Sequence, residues 1–249
     1  MSDIVTAAML VIGDEILSGR TKDRNIGHLA EMMTAIGIDL KEVRIVADDE
    51  DAIVEALNAI RARHTYVFTT GGIGPTHDDI TADAVAKAFG LPCEHDQRAY
   101  AMLAQNYAER GLDFTEARKR MARMPRGAVH IDNPVSIAPG FRIENVHVMA
   151  GVPSIFQAML DTVVPGLKTG TRLISVSIHC PAGEGTIGGP LGEIQKQHPD
   201  TIIGSYPKYL DGQFWTELVV RARTPEALAP AEAAVRQMVA RLTGPAVGT

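Results

Sequence analysis

The stretch TTGGIGPTHDDIT, Thr69 to Thr81, follows the apolar Tyr66-Val67-Phe68 and combines three glycines, a proline and two aspartates. Glycines at 71, 72 and 74 permit positive φ and let backbone N–H groups come close to a ligand. A helix starting around Asp79 adds unpaired N–H groups and the positive end of its dipole, a combination suited to an anion and above all to a phosphate. Two further segments, GDEILSGR from Gly13 and ADDED from Ala47, bring acids to the ends of strand-like runs. Carboxylates repel phosphate unless a divalent cation stands between them and takes oxygen ligands from both. On that reading Asp78 or Asp79 holds the metal or orients a water, and Asp14 or Glu15 completes the shell. Thr69, Thr70, Thr76 and Ser18 then donate to phosphate oxygens. The chemistry that fits is attack on phosphorus by water or by another phosphate, where catalysis is positioning and charge neutralisation.

Each of these features also has a plainer origin. Asp78 or Asp79 can merely cap a helix, as can Asp14 or Ser18, and the acids from Asp48 to Asp51 suit a first helical turn for dipole reasons. The glycine loop is not GxGxxG, because His77 stands where the last glycine belongs, and it lacks the Gly-Lys-Ser/Thr of a P-loop. His77 has no second histidine at metal spacing and reads as a loop side chain.

Three alternations of strand and helix must position these loops. Thr6–Gly13 is an apolar run followed by Ile26, Leu29, Ala30 and Met33 at helical spacing. Asp39–Val46 leads through a capping Asp48 or Asp49 to Ile53, Ala56, Leu57 and Ile60, and Thr65–Thr70 precedes the glycine loop and a third helix that Gly90-Leu91-Pro92 stops. Such alternation implies a largely parallel sheet between layers of helices. The loops at the carboxyl ends of parallel strands share one edge, which gathers Asp14, Glu15, Asp48, Asp49, Asp78 and Asp79. Residues 96–124 read as one or two helices broken at Gly111, residues 128–153 as two short strands around Ala138-Pro139-Gly140, and Ser154–Val164 as a closing helix. At PGLKTGTR the composition turns to linker, which sets a domain of residues 1–170 apart from one of residues 171–249. The second domain reads as βαββα, with strands at 172–179, 201–206 and 214–223, a helix near 191–197 and a long final helix.

Composition narrows the function classes. The chain has 249 residues, 45% hydrophobic and 22% charged, enough for a normal globular core. Its net charge of −6 lies wholly in the first 170 residues, and neither part is basic enough to hold nucleic acid. Gly189-Pro-Leu-Gly192 matches a nucleic-acid clamp in letters only. Arg118, Lys119, Arg120, Arg123 and Arg126 form a basic run, either a solvated helix face or a contact to phosphate or a partner subunit. No apolar stretch reaches membrane-spanning length and the N-terminus lacks a cationic lead-in, so a cytoplasmic, non-membrane protein is expected. Cys93 and Cys180 support neither a disulfide framework nor a zinc site.

In order, VIGDEILSGRTKDRN, VADDEDAI, TTGGIGPTHDDIT, NPVSIAPGF and AGVPSIFQAML resemble the molybdopterin-binding domain family, most closely the N-terminal part of CinA-like proteins. The resemblance spans about residues 5–165, and the tail resembles the small domain that follows in CinA-like chains. It implies a three-layer αβα fold, usually homo-oligomeric, whose strand-end pocket binds a phosphorylated ligand. Relatives named MogA, MoaB or gephyrin adenylylate molybdopterin, whereas CinA-like members and eukaryotic FAD synthase are associated with cleaving ADP-ribose or FAD. Carried over, Gly71, Gly72, Gly74, Thr76 and Asp79 match the ligand loop, Asp14, Glu15 and Ser18 match the first loop, and Asp48 and Asp49 fall at an essential acid. Ile155 replaces a family glutamate, Ala150 a proline, and Ser136-Ile137 stand where relatives carry Gly-Thr. The expectation is a pyrophosphatase for a nucleotide diphosphate, assisted by magnesium, manganese or cobalt. The alternatives are molybdopterin adenylyl transfer and non-catalytic binding of a pterin or nucleotide.

Overall fold

β1 (Val5–Ile12) is apolar in every residue but Thr6, as suits a strand covered on both faces. The computed structural model describes residues 4–243. The outer ends of the two expected domains, residues 1–3 and 244–249, lie outside the described residues. After β1 come α1 (Asp14–Leu17), α2 (Asn25–Ala35), β2 (Ile38–Val46), α3 (Glu50–Arg61), β3 (Tyr66–Thr70), α4 (Thr81–Phe89), β4 (Cys93–His95) and α5 (Gln97–Glu109). The chain continues with α6 (Glu116–Lys119), β5 (Arg123–Pro125), β6 (Val129–Ile131), β7 (Gly140–Ile143), β8 (Val146–Met149) and α7 (Pro153–Val163).

Six strands form one sheet in the order β2-β1-β3-β8-β7-β6. β2, β1, β3 and β8 run parallel, and β7 and β6 return antiparallel to their neighbours. The twofold alternation of β1 divides the core between the two faces. Ala8, Leu10 and Ile12 pack with Ile53 and Leu57 of α3, Val85 of α4 and Leu103 of α5. Val5, Ala7, Met9 and Val11 pack on the other side with Leu29 and Met33 of α2 and with Phe156, Met159 and Leu160 of α7. The result is a three-layer αβα arrangement in which β1, β2, β3 and β8 all deliver their following residues to one edge.

Contacts divide the chain into Met1–Gly170 and Thr171–Thr249. The second unit contains β9 (Ile174–Cys180), α8 (Glu184–Gln197), β10 (Thr201–Leu210), β11 (Gln213–Ala222) and α9 (Pro225–Thr243). Its antiparallel sheet has the order β10-β11-β9 and buries Ile178, Leu218 and Val220 against Ile187, Leu191 and Val235 of the two helices. Trp215 lies over His179 with ring centroids 5.9 Å apart, while Phe214 is 74% exposed.

Several expected boundaries shift. Ala138-Pro139 end the loop of residues 132–139 that joins the antiparallel β6 and β7, Gly140 already opens β7, and a second turn falls at Glu144-Asn145, where Glu144 takes φ 48°. Residues 128–153 thus hold three strands instead of two. α8 starts at Glu184 instead of near Leu191, and Pro190 sits inside it. β4 and β5 pair across the helices of residues 96–124 as a small separate ribbon. Cys180 is buried, and burial pushes the Cys93 thiol up to about 12, so neither is an activated nucleophile.

Candidate functional site

The glycine loop leaves β3 under tight steric limits. Gly71 has φ 103°, and a Cβ there would lie 2.1 Å from the Ile12 carbonyl oxygen. Gly72 has φ 67°, and its Cβ would meet Thr81 Oγ1 at 2.1 Å. Only glycine lets this backbone pass between the exit of β1 and the start of α4. Three hydrogen bonds hold it there: Gly71 N to Met149 O at 3.2 Å, Thr81 N to Gly72 O at 3.0 Å and Thr81 Oγ1 to Gly71 O at 3.0 Å. α4 begins at Thr81, two residues later than expected, and no side chain caps it. Asp79 therefore does not cap the helix. Its carboxylate accepts from Thr76 N at 2.7 Å and from the Thr76 hydroxyl, closing the loop on itself.

Beside this loop opens a cleft of about 520 Å³, within the range of small-molecule sites. Gly71, Gly72, Gly74 and Thr76 line it, together with the carboxylate-bearing Glu15, Asp48, Asp78 and Asp79. The lining also carries apolar residues, Ile12 and Met121 and, along one stretch of chain that forms a wall, Ala150, Val152, Pro153 and Ile155. The first turn of α7 belongs to this wall, has Pro153 in its opening positions and carries no side-chain cap, so the positive end of its dipole borders the cleft. The cleft thus offers backbone amides, acids and a greasy surface within the reach of one ligand.

Asp48 and Asp49, adjacent in sequence, do different work. Asp49 caps α3 by accepting from Ala52 N at 2.9 Å, and Glu50 and Asp51 pair with Lys87 at 2.5 and 2.8 Å. Asp48 instead turns into the cleft lining and accepts from Asp14 N at 2.9 Å. Burial raises its pKa above the ordinary aspartate value; the Asp14 amide opposes this, and the charges of Asp14, Glu15 and Asp78 add to it. Asp78, largely exposed, is shifted the other way, first by its hydrogen bond with Thr76.

Other expected residues are not brought to the cleft. Thr70 is 2% exposed, and its hydroxyl donates to Ala150 O at 3.0 Å while accepting from Asn25 Nδ2 at 2.9 Å. It is a structural strut, because a hydroxyl with its one proton spent cannot also donate to a phosphate. Ser18 ends α1 at an exposed position outside the cleft lining. Asp14 lends its backbone N–H and its charge, but its side chain is not part of the lining. His77 is 99% exposed and serves neither loop nor cleft.

Three residues matter more than their sequence context indicates. Asn25 is 3% exposed, bonds Thr70 and also Gly151 O at 2.8 Å, and leaves Oδ1 buried without a partner. An asparagine at the head of an amphipathic helix, where solvent would be expected, was its only signal. Arg120 donates to Asp79 O at 3.1 Å and so supports the loop from below. Its neighbours in the basic run are spent elsewhere, Arg123 on Asp83 at 2.5 and 2.8 Å and Arg126 on Glu94 at 2.8 and 3.0 Å. Asn133 organises the last wall, accepting from Val135 N and Ser136 N at 3.1 Å and donating to Ala138 O at 2.8 Å. Within that turn Ile137 is held at φ 68°, a strained conformation for a β-branched residue.

Among the described residues no group of three or more His, Cys, Asp and Glu side chains converges as a metal cage. What the cleft offers is a rim of carboxylates close enough to one another to raise the proton affinity of Asp48. That donor set fits a hydrated hard cation that takes one or two carboxylates and completes its shell with phosphate oxygens, and it does not fit a closed all-protein site.

Comparison with known proteins adds the following. Residues 8–169 match the family described as "Probable molybdopterin binding domain", and residues 172–243 match "FAD synthase, middle domain". A protein of Pyrobaculum calidifontis is 34% identical over 250 residues, covering 94% of each chain. One from Caldivirga maquilingensis is 39% identical over 170 residues, 67% of this chain and 66% of its own. The crystal structure of CinA, a protein with unknown function from Thermoplasma acidophilum, superposes with a TM-score of 0.61 at 32% identity, over 66% of this chain and 98% of that one. No helix of the described residues is long and apolar enough to cross a membrane.

Proposed function

Because the chain belongs to the molybdopterin-binding domain family and carries behind it a stretch matching the FAD synthase middle domain, we propose that its strand-end cleft hydrolyses a nucleotide diphosphate of the FAD or ADP-ribose kind. The observation that carries this reading is the meeting of glycine-loop amides, an acid rim and an apolar wall in one cleft. A diphosphate flanked by a flat ring system needs all three.

In this reading the amides of Gly72, Ile73 and Gly74 and the open N-terminal turn of α7 receive the phosphate oxygens. The ring lies on Val152, Pro153 and Ile155. Asp48, whose proton affinity burial raises, accepts a proton from the attacking water as it bonds to phosphorus. The bridging P–O bond breaks, the leaving phosphate keeps the bridging oxygen, and two monophosphates result. Glu15 and Asp78 would hold a magnesium, manganese or cobalt ion, which would neutralise phosphate charge and polarise the P–O bonds. Asp79 and Arg120 act at one remove, by fixing the loop.

Purified protein incubated with FAD or ADP-ribose and each of the three cations should release mononucleotide, resolved by chromatography. Absence of turnover with every pairing contradicts the proposal. Two other readings have support of their own. The description of the matched family supports molybdopterin as the ligand, and with it a reading as adenylyl transfer to molybdopterin, which complementation of a strain lacking that step would reveal. An apolar Ile155 within the cleft favours retention of a ligand without catalysis, which calorimetry would show as tight FAD binding with no product.

A further inference from the structure

A second cavity, of about 340 Å³, lies where β3 and β8 begin, and its lining includes Tyr66, Asp132, Arg142, His147, Thr162 and Leu167. None of these residues borders the strand-end cleft. Its size falls at the lower end of small-ligand sites.

The lining is specific about what it could take. His147 is 4% exposed, and its Nδ1 is buried without a hydrogen-bond partner, an unusual condition for a polar atom beside a void. Its ring stacks on Phe68 at 5.2 Å and meets Tyr66 edge-on at 5.9 Å, giving an aromatic wall on which another flat ring can pack. Tyr66 Oη accepts from Lys168 N at 2.7 Å, which leaves the phenolic proton free to donate. Arg142 is exposed and, among the described residues, makes no ion pair; its hydrogen bond to Glu144 O is long, at 3.4 Å. Burial pushes the His147 pKa down to about 4, so near neutral pH the ring is uncharged and Arg142 is the permanent cation of the lining. Asp132 on the same lining disfavours a second negative charge on the ligand.

We infer that this cavity is a second ligand site, for a small planar monocarboxylate whose carboxylate meets Arg142 and whose ring packs against His147 and Tyr66. The inference is independent of the chemistry proposed for the strand-end cleft.

Benzoate serves as the probe, with phenyl phosphate as the more highly charged comparator, followed by NMR of the full chain labelled at histidine. Benzoate should shift the His147 ring signals saturably, and phenyl phosphate should bind roughly tenfold more weakly. Arg142→Gln, at an exposed position that folding does not depend on, should weaken benzoate by roughly tenfold, because a charge-assisted bond is lost. Glu15→Gln, in the other cleft, should leave benzoate binding unchanged. The assignment is overturned if no saturable shift appears, if Arg142→Gln binds benzoate as the parent does, if Glu15→Gln abolishes binding, or if phenyl phosphate binds as tightly as benzoate.

Discussion

The two ends of β3 and β8 are built on opposite terms. Where these strands finish, the backbone is confined at Gly71 and Gly72 and strained at Ile137, acids crowd together, and the last polar strut is the buried pair of Asn25 and Thr70. Where they begin, the environment is aromatic, with a neutral buried His147 stacked on Phe68 beside the second cavity. Strain and like-charge repulsion both cost stability, and they persist where the surrounding fold over-determines the geometry. The difference teaches that one sheet can gather confined backbone and like charges at one edge while the other edge presents a cavity walled by neutral aromatic rings.

The largest effect expected at the acid end is on rate. Asp48→Asn should lower kcat of the proposed hydrolysis by about 10³-fold, some 4 kcal/mol, through loss of the proton acceptor, with thermal stability little changed. An unimpaired Asp48→Asn enzyme would erase the distinction drawn between Asp48 and its neighbour Asp49. Next comes the backbone. Gly71→Ala should cost about 3 kcal/mol in urea unfolding, since its Cβ meets the Ile12 carbonyl at positive φ. A stability within error of the parent would show that the loop is not so confined.

The aromatic end should be recognised by its pH dependence. The folded-state pKa of His147 is about 4, against an ordinary 6.5, so the unfolded chain binds the proton more readily between these values. The His147 contribution to stability is therefore complete above about pH 6.5 and is lost progressively as pH falls towards 4, by about 3 kcal/mol. His147→Phe should flatten that part of the urea-midpoint profile; an unchanged slope would place the titrating group elsewhere. Ile137→Gly should raise stability by about 1 kcal/mol by relieving the left-handed residue, readable as a rise in Tm. The smallest effect expected is a shift of the acid limb of the activity profile. Glu15→Gln removes one negative charge that raises the Asp48 pKa, so at saturating cation the limb should move to lower pH by a few tenths of a unit. A shift to higher pH would contradict the charge arrangement.

The sheet and its polar edge were legible because β1, β2 and β3 are long apolar or alternating runs, each followed by acids or glycines. What stayed hidden depended on partners remote in sequence. β4 and β5 have three residues each and pair across almost thirty others, too short to leave a pattern. The first half of α8 is obscured by the glycines and proline of GEGTIGGPLG, whose low intrinsic helix propensity tertiary packing of Ile187 and Leu191 overrides. In the site, acids were found readily, but which of them faces the cleft was decided by local bonds: Asp79 turns to Thr76, Asp49 to Ala52, and Asp48 alone of that pair reaches the lining. Arg120 read as one member of a solvated basic run because its acceptor, a main-chain carbonyl, has no sequence signature.

The most direct test of water attack on phosphorus at the strand-end cleft is hydrolysis of FAD and of ADP-ribose in ¹⁸O-enriched water, with mass spectrometry of the products. The account predicts mononucleotide formation with one labelled oxygen in the phosphate of one product per cleavage, strongly diminished in Asp48→Asn. Absence of cleavage, cleavage without label in phosphate, or equal turnover by Asp48→Asn would contradict it.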